Sequence, residues 1–202
     1  MKKIIITILA VFISISSLMA QQDIRVNALG LFFKNYGLGY EYIINDEIAA
    51  GVYINVSNGS LLLNAINDIN GSDYGYSSVS IMPEFKYYYN PDFGADNRYF
   101  GAYLIYQNVS WNKLTAYDDN NNEIKYDMNN TSYGIGVLTG QKWVTNSGIY
   151  IESLIGIGKF FTSSIDFSDP NVEQYVDTKS YKYVSSYDFR FQVSVGYRIG
   201  GY

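Results

Sequence analysis

The sequence contains no cysteine and no histidine. The first absence removes disulfides, thiolate nucleophiles and any lipid-modified cysteine that would anchor the chain. The second removes the usual general base, the commonest metal ligand and the middle member of Ser-His-Asp machinery. Proline appears only 3 times, and 14 basic residues face 19 acidic ones, for a formal net charge of −5. That balance argues against nucleic acid as a partner, because such binding rests on clustered basic side chains. Sustained helical periodicity is also missing beyond residue 20. Tyrosine is plentiful, 22 of 202 residues, and so is glycine, at 18.

The first twenty residues, MKKIIITILAVFISISSLMA, carry Lys2 and Lys3, an apolar run from Ile4 to about Ile15, then serines and Ala20. Basic, apolar, then small is the layout of a secretory signal peptide. A spanning helix needs roughly 20 apolar residues, so an uncleaved anchor fits less well. The expected organisation is a signal peptide over 1–20 and one domain over 21–202.

Read in steps of two, that domain resolves into eight expected strands. The first, 24–33, places Ile24, Val26, Ala28, Gly30 and Phe32 on one face. The second, 36–44, sets Tyr36, Leu38, Tyr40, Tyr42 and Ile44 against Gly37, Gly39 and Glu41. The third, 47–56, sets Ile48, Ala50, Val52, Ile54 and Val56 against Glu47, Ala49, Gly51, Tyr53 and Asn55. The fourth, 78–89, sets Val79, Ile81, Pro83, Phe85, Tyr87 and Tyr89 against Ser78, Ser80, Met82, Glu84, Lys86 and Tyr88. In the fifth, 98–110, Phe100, Ala102, Leu104 and Tyr106 form the better apolar face. The sixth, 131–143, opposes Tyr133, Ile135 and Val137 to Ser132, Gly134, Gly136 and Gly140. The seventh, 149–161, opposes Ile149, Ile151, Ile155 and Ile157 to Glu152, Gly156 and Gly158. The eighth opens the tail YDFRFQVSVGYRIGGY, where Tyr187, Phe189, Phe191, Val193, Val195, Tyr197 and Ile199 alternate with Asp188, Arg190, Gln192, Ser194, Gly196 and Arg198.

The links at 45–46, 90–97 and 144–148 are short. Those at 57–77, 112–130 and 162–186 are long, polar and acidic; only the first hairpin, at Lys34-Asn35, is short at the long-loop end. Consecutive hairpins put alternate links at opposite ends of a sheet, so one end carries short turns and the other long loops. Transmembrane barrels have that asymmetry. Strands of roughly 9–11 residues suffice to cross the hydrocarbon. The expected fold is all-β, an eight-stranded antiparallel up-and-down transmembrane β-barrel.

The polar faces explain why the apolar ones should point outward. Glycine on an open strand surface weakens the strand for no gain, whereas inside a narrow barrel it leaves room for large neighbours. The same faces carry nearly balanced charge. Arg25, Glu41, Glu84, Lys86, Lys142, Glu152, Asp188, Arg190 and Arg198 are expected to form a network inside the lumen, since unpaired buried charge is very costly. Tyr36, Tyr87, Tyr89, Tyr106, Trp111, Tyr133, Trp143 and Tyr187 lie near strand ends, as in the aromatic girdles at water–lipid boundaries.

An exported chain with eight amphipathic strands, with segments such as LGLFFKNYGLGYEYIINDEIAAGVYINV and a final FRFQVSVGYRI, resembles the small Gram-negative outer-membrane barrels of the OmpA and OmpX type over about residues 22–202. The resemblance implies residence in the cell outer membrane, with membrane lipid and the outer-membrane assembly machinery as partners. It also implies an assembly signal in the last strand, at Tyr197 and Ile199 or at Tyr202, which a bulge at Gly200-Gly201 would bring into phase. Lipid-processing enzymes on such barrels use a catalytic histidine, which this chain lacks. No catalytic residue, cofactor or metal is therefore expected.

The acidic runs Asp118, Asp119, Glu123, Asp127 and Asp166, Asp169, Glu173, Asp177 lack the ordered spacing of a calcium loop and read as solvated loops. Leu62, Ala65, Ile66 and Ile69 have helical spacing but fit a loop packing on itself. The leading functional expectation is a structural or surface-interaction role, with the long acidic loops meeting an extracellular ligand or protein. The alternatives are a narrow pore for ions or small solutes, and a soluble periplasmic β-barrel holding an apolar ligand.

Overall fold

A computed structural model describes residues 21–59, 75–176 and 186–200. The proposed signal peptide, the Leu62–Ile69 segment, Asp177 and Tyr202 lie outside the described residues. Eight strands run in chain order: β1 Gln22–Asn27, β2 Asn35–Ile43, β3 Ile48–Asn58, β4 Gly75–Tyr89, β5 Asn97–Tyr117, β6 Glu123–Val144, β7 Ile149–Phe167 and β8 Tyr187–Ile199. Each pairs antiparallel with its neighbour, and β1 pairs with β8 from Gln22↔Ile199 to Asn27↔Ser194, closing the barrel.

The register sets the barrel's width. A row of paired residues runs Asp23, Glu41, Gly51, Glu84, Tyr103, Gly136, Gly158, Asp188. Asp23 itself pairs with Arg198, ten residues further along β8 than Asp188. Eight strands with that stagger tilt by roughly 35–45° and leave an interior just wide enough for side chains to fill.

The two faces fall as the alternation predicts. Ile54, Phe100, Leu104, Ile135, Ile155, Phe189 and Phe191 are exposed on the outer wall, while Tyr53, Tyr88, Tyr99, Tyr103 and Tyr150 are buried inside. A soluble barrel would reverse this.

Three expected boundaries are corrected. The first strand ends at Asn27 rather than residue 33. There Asn27 caps a one-turn helix, α1 (Ala28–Leu31), by accepting a 3.0 Å hydrogen bond from Gly30 N. This side-chain oxygen satisfies a helix-end N–H that a strand would have paired elsewhere. Next, 112–130 is mostly strand. β5 and β6 extend past the barrel to a tight turn at 118–122. The register slips by one between Trp111 and Leu114, a bulge with Lys113 at φ 60°. A bulge moves the side-chain alternation to the other phase, which hides the pattern from a reading in steps of two. Finally, β7 continues to Phe167 and leads into a 3-10 turn, Pro170–Tyr175.

These extensions hold their own small core. Leu114, Ala116, Tyr126, Met128 and Val172 are buried together, with Trp111, Ile165 and Phe167 packed against them.

Candidate functional site

The inner half of the lumen is filled by charge. Arg198 grips Asp23 with a two-pronged contact, Nε–Oδ1 and Nη2–Oδ2 each at 2.8 Å. Lys142 Nζ donates to Asp23 Oδ2 at 2.9 Å and to Glu41 Oε1. Lys86 Nζ sits 2.6 Å from Glu41 Oε2 and 2.5 Å from Glu152 Oε1. Arg25 joins Glu84 at 2.5 Å, Glu152 at 3.1 Å and Glu41 at 3.4 Å. Arg190 Nη2 closes the outer side on Glu84 Oε1 at 2.7 Å. These side chains are almost wholly buried. At such burial the desolvation of each ion is repaid only by close, multiple pairing.

All nine charged residues expected in the lumen point inward. Asp188 differs in its partner: it accepts a 2.5 Å hydrogen bond from Tyr103 OH, while Arg190 reaches inward to Glu84. Sequence reasoning missed Asp23, which is fully buried between Lys142 and Arg198. Its signal was phase, since it stands two residues before Arg25 on β1. Among the described residues, Asp23 brings the lumen to five carboxylates against five cations.

The tyrosines were also underread. Tyr88 OH donates to Glu41 at 2.8 Å and Tyr99 OH to Glu152 at 2.6 Å. Lys86 lies 4.6 Å from the Tyr99 ring centre, Lys142 4.9 Å from that of Tyr88, and Arg190 4.7 Å from that of Tyr103. Each ring gives its neighbours both a hydroxyl and a π face. Glycines make the room. A Cβ on Gly37 would strike the Tyr53 ring, on Gly136 that of Tyr103, on Gly140 that of Tyr99 and on Gly196 that of Tyr150.

The short-turn end is closed by backbone. Arg198 also donates to the carbonyl oxygens of Phe93, Gly94 and Ala95 in the β4–β5 turn. That turn folds beneath the lumen, with Ala95 buried and held at φ 43°.

The aromatics expected at the girdles divide. Tyr36, Tyr89, Tyr133, Trp143 and Tyr187 are exposed on the outer wall. Tyr87 packs against Phe100 and Tyr106 against Tyr133 with tilted rings, each with 5.3 Å between ring centres. Trp111 instead packs on the outer cluster beyond the barrel. Tyr197 and Ile199 are exposed at the end of β8.

The acidic runs serve turns. Asp118 accepts from the backbone of Asn120 and from both backbone and side chain of Asn122, which holds its carboxyl below the ordinary range, the Asn122 side chain first. Asp169 caps the 3-10 turn through Asn171 N. Among the described residues no acidic group of three or more could hold a metal ion.

A closed eight-stranded barrel, apolar outside and ion-paired within, has the architecture of the small outer-membrane barrels. The chain belongs to DUF3575, a family described as proteins of unknown function, whose model matches residues 4–199. No curated protein matches it. Among solved structures, a major outer membrane protein from Thermus thermophilus is similar at 10% identity, over 90% of this chain and 100% of that one, with a TM-score of 0.53. Neisserial surface protein A (NspA) aligns over 90% of this chain and 96% of its own at 15% identity, with a TM-score of 0.45. At these identities the likeness to the Thermus protein bears on the fold.

Proposed function

We propose that this chain is an integral protein of the cell outer membrane, whose barrel is a plugged, non-catalytic anchor presenting an extracellular β-platform for interaction. The observation that carries this reading is the ion-paired lumen, with Arg198 tying the β4–β5 turn across its short-turn end. An apolar outer wall matches lipid, and the turn and loop ends match periplasm and exterior. The platform is the outward extension of β5, β6 and β7 with the 3-10 turn on its own core; a ligand or partner protein would meet it there. Tyr197 and Ile199 are the residues offered to the assembly machinery.

The test uses the refolded chain in planar bilayers. Neither the native protein nor Arg190→Ala should give discrete conductance, and Arg190→Ala should only lower stability. Steady single-channel currents from the native protein would replace the plug with a narrow pore. Recovery in the osmotic-shock fluid, with no heat-dependent gel shift, would instead point to a soluble barrel.

A further inference from the structure

The outer half of the lumen differs from the inner half in kind. Its inward positions carry amides and hydroxyls, among them Asn27, Asn55, Ser78, Ser80, Gln107 and Gln192, around a cavity of about 180 Å³. Four of the buried residues that line it, Tyr53, Asn55, Arg190 and Gln192, hold a polar atom that no described residue partners. Buried donors and acceptors left unmade are costly, so the cavity calls for an occupant that both donates and accepts.

Charge narrows the choice. Arg190 and Asp188 are the two charged side chains that line the cavity, one cation against one carboxylate, so the lining carries no net charge for an ion to neutralise. Size narrows it further. That volume has room for several waters or for one sugar ring. Tyr76 adds an aromatic surface and touches Trp111 edge-on, with ring centres 6.0 Å apart. Tyr53, Met82 and Arg190, the last held from below by Glu84, form the floor.

We propose that the outer lumen is a blind binding site for a small neutral polyhydroxyl solute, about one pyranose ring in size. The site requires the barrel and the Arg190 floor that Glu84 holds, and it is separate from the extracellular platform.

The experiment uses the full chain, folded in detergent, with methyl α-D-glucopyranoside and methyl β-D-galactopyranoside as probes and glycine as a zwitterionic comparison. Saturation-transfer NMR reads contact, and Trp111 fluorescence reports through Tyr76. At least one glycoside should bind saturably. Asn55→Leu and Gln192→Leu, which remove the unpartnered acceptors, and Ser80→Val, which narrows the cavity from another strand, should each weaken it about tenfold. A retained heat-dependent gel shift confirms that a variant is folded. Three results would overturn the site: no saturable contact with either glycoside, which leaves water as the occupant; binding unchanged in the folded variants; or glycine binding more tightly than both glycosides.

Discussion

Lys142 shows how little freedom the lumen leaves a single side chain. It is fully buried, bonded to Asp23 and Glu41, and lies within 5.2 Å of the Tyr150 ring centre. Lys142→Met keeps most of the volume but leaves Asp23 to Arg198 alone and Glu41 to Lys86 and Arg25, with one buried negative charge uncompensated. Breaking a buried pair in this way costs about 3–5 kcal/mol, so the urea midpoint of the vesicle-inserted protein should fall sharply. An unchanged midpoint would mean that water already carries those charges. The glycine–tyrosine contacts work at the same scale. Gly136→Ala should destabilise by about 1–3 kcal/mol, because its methyl group meets the rigid Tyr103 ring. Tyr103→Leu in the same chain should recover part of that loss; additive losses in the double variant would rule out the steric account.

The elements outside the barrel have a separate physical basis. The barrel is held inside by ion pairs and by an apolar cluster that includes Tyr53, Met82, Ile105, Leu138 and Leu154, while the extension of β5, β6 and β7 rests on a separate apolar cluster around Val172, itself fully buried. Val172→Asp should therefore open the platform without unfolding the barrel. Protease should then cut within 112–130 or 162–176, while the heat-dependent gel shift persists. Loss of the shift would show that platform and barrel fold as one unit. The bulge at Trp111–Leu114 is the device that turns the hairpin's apolar side toward the 3-10 turn. It also explains why that hairpin reads as an acidic loop in sequence: its apolar residues change phase halfway.

At the scale of the whole molecule, closure, plug and outer wall depend on one another. Pairing β1 with β8 leaves no open edge, which a strand in hydrocarbon requires. Closure with a ten-residue stagger sets a narrow interior, and the narrow interior forces the charges to pair. Conduction is a property of the continuous lumen and not of any one residue, so the absence of current expected in planar bilayers reads the plug as a whole.

Alternation by itself determined the strand count, the inward and outward sets, and the membership of the charged network apart from Asp23. Period two is a local property that a strand imposes on its own side chains, so it survives in the one-dimensional order of residues. Tertiary structure decided the rest. Arg190 pairs with Glu84, 106 residues away, because closure and stagger place β8 and β4 inner faces together across the lumen. The tyrosines could not be sorted by pattern, since one ring type serves the outer wall, the plug and the platform alike. Its place depends on which neighbouring strand offers a glycine, and only the register supplies that.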